Sequence, residues 1–279
     1  MLFDILKSII FGIVEGVCEW LPISSTGHLI LLDKLISLNV SDNELLNTQF
    51  KNMFDVVIQL GAILAVAVIY FGRLTPTKKE NLPLLGKLIL VTLPVALIGF
   101  LADALCEAFL GIDVDTLLFT PFVVALSLII YGIIFILIEL SKNLKSRTTK
   151  EITPRRAFCI GLFQSLAIIP GTSRSGATIL GARLLGIDKK EATEFSFFAA
   201  VPAILGASAI KIFEFSRFMA DTNSNLTTNA YCLLIIAFLC AFLISVPIIK
   251  FFIGFLRKHT LIPFGIYRIV LGILVLITL

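Results

Sequence analysis

Residues 15–28 read Glu-Gly-Val-Cys-Glu-Trp-Leu-Pro-Ile-Ser-Ser-Thr-Gly-His, and these polar and helix-breaking residues interrupt an otherwise apolar segment, 2–36. A second segment, 158–185, has the same character and contains Pro-Gly-Thr-Ser-Arg-Ser-Gly at 170–176. Glycine, proline and clustered hydroxyls disfavour a continuous helix. Both segments are therefore predicted to be broken helices.

The composition indicates a protein embedded in lipid. Of its 279 residues 58% are hydrophobic and only 15% are charged, whereas soluble domains have about 45–50% and about 25%. At about 20 residues per crossing, six apolar runs are long enough to span: 54–71, 87–101, 117–140, 195–212, 230–249 and 262–279. We expect one all-α polytopic membrane domain over 1–279, with about six transmembrane helices and two re-entrant broken segments.

The loop charges predict an orientation. Basic residues outnumber acidic ones at 73–87, 139–156 and 250–258, whereas all charged residues at 103–115 are acidic. Every second loop of the six-span arrangement is basic, so the basic loops lie on one side, which the positive-inside rule places in the cytoplasm. The net charge of +4 reflects this membrane pattern and is no sign of nucleic-acid binding.

The chain also resembles itself. The pattern of 12–15 and 22–27 recurs at 161–164 and 170–176, that of 54–64 recurs at 195–205, and Thr-Pro-Phe at 120–122 recurs as Ile-Pro-Phe at 262–264. Each half, 1–145 and 150–279, then holds one broken segment and three spans. An odd number of crossings inverts the second half, and inverted repeats place their site where the broken segments meet.

The first segment offers carboxylates. In a helix Glu15 and Glu19 share one face, and they repel each other unless a divalent cation or a shared proton lies between them. The alternative is a pair of exposed surface glutamates, which the apolar neighbours disfavour.

Hydroxyls follow the carboxylates. Pro22 ends the helix, and Ser24, Ser25 and Thr26 precede the next one, where hydroxyls and free N–H groups form an anion site. The alternative is an ordinary helix cap. His28 is either a packing residue or an acid/base group.

The second segment adds a cation. Arg174 carries a permanent charge whose forked donors suit phosphate, and Gly171 and Gly176 allow a close approach of the backbone. The alternative is an arginine that is paired only with Glu15 or Glu19. The two halves together suit a phosphorylated substrate with a metal. Four further polar residues are interpreted as caps or supporting partners: Asp55, Gln59, Glu191 and Glu194.

These two motifs resemble the signatures of the undecaprenyl-diphosphatase (bacitracin-resistance) family of bacteria. The resemblance extends to 54–64, 194–197 and 263–268 and so covers essentially the whole chain. It implies hydrolysis of undecaprenyl diphosphate to undecaprenyl phosphate and phosphate, which recycles a lipid carrier for cell-wall polymers. It also implies a divalent cation, Mg²⁺ or Ca²⁺, and a site that opens to the outer face of the plasma (inner) membrane.

The candidate site residues follow from the motifs and the resemblance together. The catalytic candidates are Glu15, Glu19, Ser25, His28 and Arg174, and the metal candidates are Glu15 and Glu19. The substrate-binding candidates are Ser24, Thr26, Gly27, Gly171, Thr172, Ser173, Ser175 and Gly176.

Two mechanisms and two functions stay open at this stage. A hydroxyl, foremost Ser25, attacks the terminal phosphorus with His28 or a glutamate as base, or a metal-activated water attacks directly. A transporter or flippase for a lipid phosphate or small anion is the alternative function, because secondary transporters are also built from inverted repeats. The expected partners are the lipid substrate and the bilayer, with no nucleic acid, and a homodimer is left open.

Overall fold

The structure, a computed structural model, describes residues 2–112, 114–141 and 148–278, with only the backbone of Arg257. Within these residues the chain is helical, with two short 3-10 helices at Lys79–Asn81 and Leu166–Ile168 and one isolated bridge. The first six α-helices are α1 Leu2–Cys18, α2 Ser25–Ile36, α3 Glu44–Ile69, α4 Phe71–Leu74, α5 Leu82–Leu110 and α6 Val114–Leu118. The other six are α7 Pro121–Leu140, α8 Pro154–Ser165, α9 Arg174–Leu184, α10 Lys189–Asp221, α11 Thr228–Lys258 and α12 Ile262–Thr278.

Side-chain caps set the starts of several helices. A polar side chain at each accepts a hydrogen bond from a free N–H group of the first turn, at Asn43, Thr120, Thr153 and Thr227. Pro121 and Pro154 occupy first positions, where their missing N–H costs nothing.

The described residues contain five stretches that are long and apolar enough to cross a membrane. These are Glu44–Ile69, Lys79–Leu110, Pro121–Leu140, Lys189–Asp221 and Thr228–Leu256. They correspond to the first five predicted spans, and the sixth is the 17-residue apolar helix α12. The predicted span 87–101 was too short, since α5 continues through Pro94 and past Asp103. The chain is an all-α polytopic membrane protein.

Both broken segments form helical hairpins. In the first, α1 and α2, Lys7 near the start donates to the carbonyl of Ser37 beyond the end, at 2.8 Å. In the second, α8 and α9, the bridge joins Thr149 before the hairpin to Ile187 after it. Each segment therefore returns to the end from which it started.

The two hairpins enter from opposite ends of α12. The first ends beside its C-terminus, where Lys34 Nζ donates to the carbonyl of Thr278 at 3.0 Å. The second ends near its start, where Lys189 donates to the carbonyl of His259. The tips of the hairpins consequently meet inside the helical body.

Helices of the two halves pack in reciprocal pairs. Helix α1 packs on α11 and α8 packs on α5, while α3 meets α10 and α7 meets α12. Small residues let these backbones approach closely, as is usual in membranes. A Cβ on Gly12 would overlap the carbonyl oxygen of Ala237, and one on Gly161 would lie 2.5 Å from that of Val91. Related halves are expected to pair in this way, and the inverted repeat stays a prediction.

Candidate active site

The tip of the first hairpin carries a strained cap. Helix α1 ends at Cys18, and Ser24 caps α2 by accepting from the N–H of Gly27 at 3.3 Å. Ser24 has φ of 73°, a conformation that costs a residue other than glycine about 1–3 kcal/mol and that persists where the surroundings enforce it. The tip is therefore held in one particular shape.

The tip of the second hairpin repeats this geometry. Ser173 has φ of 69° and accepts from the N–H of Gly176 at 3.1 Å. Before it, Gly171 has φ of 88°, and a Cβ there would lie 2.5 Å from the carbonyl oxygen of Val124. Each tip thus presents the N-terminus of a helix, with its free N–H groups, to the other.

A chain of charged and polar contacts joins the two tips. Glu19 Oε1 accepts from Arg174 Nη2 at 2.8 Å, and Glu19 Oε2 accepts from the hydroxyl of Ser25 at 2.9 Å. Arg174 Nη1 also donates to the carbonyl of Ser196 on α10 at 2.7 Å. Glu19 and Arg174 are both largely buried, with side chains 7% and 12% exposed. Arg174 and Glu19 therefore form an ion pair, as one of the two alternatives for Arg174 predicted.

Glu15 has no such partners. It is fully buried, and neither carboxylate oxygen has a hydrogen-bond partner in the part of the chain that the structure describes. Glu15 interacts electrostatically with the charges of Glu19, Asp55 and Lys51. Lys51 in turn forms an ion pair with Asp55 at 2.6 Å. The alternative of exposed glutamates is wrong for this residue, because a bare buried carboxylate requires a proton or a cation.

His28 bonds to groups other than the carboxylates. Its Nδ1 lies 2.7 Å from the carbonyl oxygen of Ser24, and its Nε2 lies 2.6 Å from the hydroxyl of Tyr267. Since a carbonyl only accepts, Nδ1 carries the proton, and a neutral ring then accepts from Tyr267 at Nε2. The ring also stacks on Tyr267 with centroids 5.5 Å apart. Both nitrogens are engaged, and neither bonds to a glutamate or to Ser25.

The remaining predicted residues lie in the same two tips. Ser175 donates to the carbonyl of Leu21 at 3.3 Å and lies 3.1 Å from the hydroxyl of Ser173. Thr172 is fully buried, and Thr26 is partly exposed. The predicted site residues thus lie in or directly beside the two tips, which Glu19, Arg174 and Ser175 join.

The sequence interpretation did not identify three residues of the site: Ser196, Tyr267 and Arg268. Arg268 is fully buried on α12, and its guanidinium donates to backbone carbonyls of both tips. A charged residue inside the otherwise apolar run 262–279 was the signal that could have found it. Ser196 contributes a backbone carbonyl, which leaves no trace in a sequence.

Two of the four residues interpreted as caps or supporting partners, Glu194 and Asp55, form ion pairs. Glu194 binds Arg73 at 2.9 Å and Lys190 at 3.5 Å, near the start of α10. Tyr70 follows the end of α3 nearby, and burial, with the charge of Glu194, raises its pKa to about 12. Asp55 binds Lys51, as described above. These groups frame the site, and they do not contact the hydroxyls of the tips.

The chain matches known proteins over nearly its whole length. A family model described as the bacitracin resistance protein BacA matches residues 8–274. The chain is 45% identical over 284 residues to undecaprenyl-diphosphatase 1 of Clostridioides difficile (strain 630), with 99% of this chain and 96% of that protein covered. It is 45% identical over 287 residues to the undecaprenyl-diphosphatase of Enterococcus faecalis, with 98% and 96% covered. It is 46% identical over 287 residues to that of Streptococcus mutans serotype c, with 99% and 96% covered.

Proposed function

The chain belongs to the bacitracin resistance protein BacA family, and on that premise we propose that the paired tips hydrolyse undecaprenyl diphosphate to undecaprenyl phosphate and inorganic phosphate. The protein is a membrane-embedded hydrolase of a phosphoric anhydride. Its product is the lipid carrier that cell-wall synthesis uses again. The relatives are named for hydrolysis, and no observation favours a transporter.

One contact chain carries the proposal. The hydroxyl of Ser25 lies 2.9 Å from Glu19, and the same carboxylate lies 2.8 Å from Arg174. A hydroxyl that bonds to a carboxylate oriented by a third group is the arrangement of an activated nucleophile. Phosphoryl transfer is catalysed mostly by positioning and by stabilising charge. Arg174 and the N–H groups of the two tips can position the diphosphate and stabilise its charge.

In the proposed reaction Ser25 attacks the terminal phosphorus of the diphosphate. A bond forms between Ser25 Oγ and phosphorus, the anhydride bond breaks, and undecaprenyl phosphate leaves, while Glu19 accepts the hydroxyl proton. Glu19 passes this proton to the departing undecaprenyl phosphate and is ionised again. Water then attacks the phosphoserine with Glu19 as base, the bond between Oγ and phosphorus breaks, and Glu19 returns the proton of the water to Ser25 Oγ as phosphate is freed. Direct attack by water is the rival mechanism, and it uses the same clamp.

His28 serves this reaction as a support for the loop. A base must reach the proton that it removes, at about 2.6–3.2 Å, and both of its nitrogens are bound to Ser24 and Tyr267. Its bond to the carbonyl of Ser24 holds the strained cap directly before Ser25. Of the two bases that the sequence left open, the geometry favours the glutamate.

The carboxylates fit a divalent cation. Glu15 presents two buried oxygens without partners, and Glu19 lies one helical turn further on. In the described ranges no group of three or more histidine, cysteine, aspartate or glutamate residues is arranged to hold a metal ion. Mg²⁺ commonly takes one or two carboxylates, with water and substrate phosphates as its other ligands. Bound there by the free oxygens of Glu15, Mg²⁺ or Ca²⁺ would neutralise charge on the diphosphate. Glu19 would lie beside the ion, with its own oxygens engaged by Ser25 and Arg174.

The protein is a multi-pass membrane protein, and we place it in the bacterial plasma membrane with the site open to the outer face. A cavity of ≈ 710 Å³ lined by polar residues of 33–52 lies beside the end of α2. Lys51 on the wall of this cavity forms an ion pair with Asp55, and Asp55 interacts electrostatically with Glu15. This end lies away from the basic loops. A homodimer stays a prediction, which the mass of the detergent-solubilised protein tests.

The test is release of phosphate from a short-chain prenyl diphosphate by the purified protein, with Mg²⁺ or Ca²⁺ added. Glu19→Gln and Arg174→Ala should lose nearly all activity, whereas Glu139→Gln, at a buried carboxylate on α7, should keep it. Ser25→Ala should also be inactive, and a phosphoserine peptide should be trapped in acid-quenched wild type. An active Ser25→Ala variant would rule out the serine mechanism in favour of direct attack by water. A wild-type protein that is inactive under every metal condition would overturn the proposed function.

A further inference from the structure

Arg268 is a fully buried cation with no acidic partner among residues 2–112, 114–141 and 148–278. It lies over the rings of Tyr131 and Phe135, 5.7 and 5.9 Å from their centroids. Its polar contacts are to backbone carbonyls alone. Burying a charge without a counter-ion costs free energy. The contacts of the guanidinium should therefore explain why an arginine occupies this position.

The guanidinium joins the two hairpin tips. Nη1 donates to the carbonyl of Pro22 at 3.2 Å, while Nη2 donates to those of Gly171 and Thr172 at 2.8 and 2.9 Å. One nitrogen thus holds the first tip and the other holds the second. Arg268 itself lies on α12, which belongs to neither hairpin, so one rigid helix sets the distance between them.

The three carbonyls lie one or two residues before the strained caps. Thr172 precedes Ser173, and Pro22 lies two residues before Ser24. Such conformations at residues other than glycine persist only where the surroundings enforce them. Hydrogen bonds that fix the carbonyls before each cap restrain the backbone in this way. The single guanidinium of Arg268 makes these bonds to both tips.

We infer that Arg268 is a positioning residue of the hydrolase, which holds Ser25 in one tip and Arg174 in the other at the spacing that Glu19 bridges. The kinetic part of this inference rests on the proposed function. Lysine is a poor replacement, because its single ammonium lacks the fork that reaches two loops at once.

The experiment compares Arg268→Met and Arg268→Lys with a matched control, Arg183→Met. Arg183 is likewise buried, and its Nη1 donates to a single carbonyl, that of Ile187 at 2.8 Å, away from the tips. The readouts are kcat and KM for phosphate release, the thermal midpoint, and the emission of Trp20. Trp20 is the one tryptophan of the chain and is fully buried in the first tip, where it packs on Phe197.

Arg268→Met should lower kcat by about a hundred-fold, the cost of a misplacement near 1 Å, with a smaller change in KM. Its Trp20 emission should shift to the red as the tip loosens. Arg268→Lys should fold, shift the Trp20 emission less than Arg268→Met and lose less activity, because its ammonium still reaches one of the two loops. Arg183→Met should lower only the thermal midpoint.

Three results would overturn the inference. One is a folded Arg268→Met with kcat and Trp20 emission equal to those of Arg183→Met. Another is a loss of kcat that only tracks the unfolded fraction and vanishes on cooling. The third is failure of both Arg268 variants to fold, which would assign the residue to the fold itself. Should wild type release no phosphate, the proposed function fails, while Trp20 emission still decides whether Arg268 holds the tip.

Discussion

Glu15 and Glu19 lie one helical turn apart, yet their surroundings give them different tasks. Both oxygens of Glu19 are engaged, one by Ser25 and one by Arg174. Both oxygens of Glu15 are buried and bare. Glu19 is therefore suited to orient the nucleophile and the cation across the tips, and Glu15 is suited to hold a metal.

Substitution should separate these tasks. Glu15→Gln should raise the Mg²⁺ concentration for half-maximal activity about tenfold or more, since a ligand oxygen is lost, with part of kcat recovered at saturating Mg²⁺. Glu19→Gln should lower kcat at every Mg²⁺ concentration, because Ser25 and Arg174 lose their shared acceptor. Metal titrations of phosphate release, with Glu139→Gln as control, measure both. Equal shifts of the metal midpoint in the two variants would contradict this division.

His28 allows a second test at a single side chain. An asparagine amide can replace the Nδ1–H group that donates to Ser24, whereas a glutamine amide corresponds to Nε2. His28→Asn should therefore keep more kcat than His28→Gln. Loss of a general base costs about 10²–10⁴-fold, so a loss of that size in both variants alike would return His28 to the role of base. Initial rates across pH, measured on folded protein, decide it.

The sequence identified the elements of the site better than their conformation. Pro22 and the glycines at 171 and 176 predicted where each segment breaks, and the break is observed. Left-handed backbone at Ser24 and Ser173 was not predicted, because local sequence favours glycine for such a conformation. Contacts with α12, far away in the chain, impose it. Strain of this kind depends on tertiary packing, which no local pattern records.

At the level of helices, close backbone packing is the testable feature. Gly12 on α1 meets the carbonyl of Ala237 on α11, whereas Gly254 on α11 has no atom within 4 Å of where a Cβ would be. Gly12→Ala should cost about 1–3 kcal/mol of stability through overpacking and should lower activity by moving the first tip. Gly254→Ala should leave stability unchanged or raise it by about 0.5–1 kcal/mol. Thermal midpoints in detergent compare the two, and equal midpoints would contradict the close packing.

For the whole molecule, composition and motifs were sufficient for the class of fold and for most of the site. Hydrophobic runs predicted the spans, and the repeated motifs predicted which segments meet. Arg268 and Ser196 were not predicted, because one lies in a span with no local motif and the other acts through its carbonyl. Their roles come from helices outside the two hairpins, α10 and α12, which pack around the tips. Tertiary contacts of this type are what a single sequence does not record.

The orientation of the whole molecule in the membrane is accessible to chemical labelling of its loops. Lys211 on α10 binds Asp115 at 2.9 Å, so the connection between α10 and α11 lies at the acidic end, and Lys78 lies at the basic end. With the native cysteines replaced, Asn225→Cys should react with a membrane-impermeant maleimide in intact cells. Lys78→Cys should react only after permeabilisation, because the positive-inside rule places basic loops in the cytoplasm. Both side chains are exposed and belong to neither hairpin, so phosphate release serves as the control for folding. The reverse labelling would invert the molecule and place the cavity beside α2 on the inner face, with the chemistry of the tips unchanged.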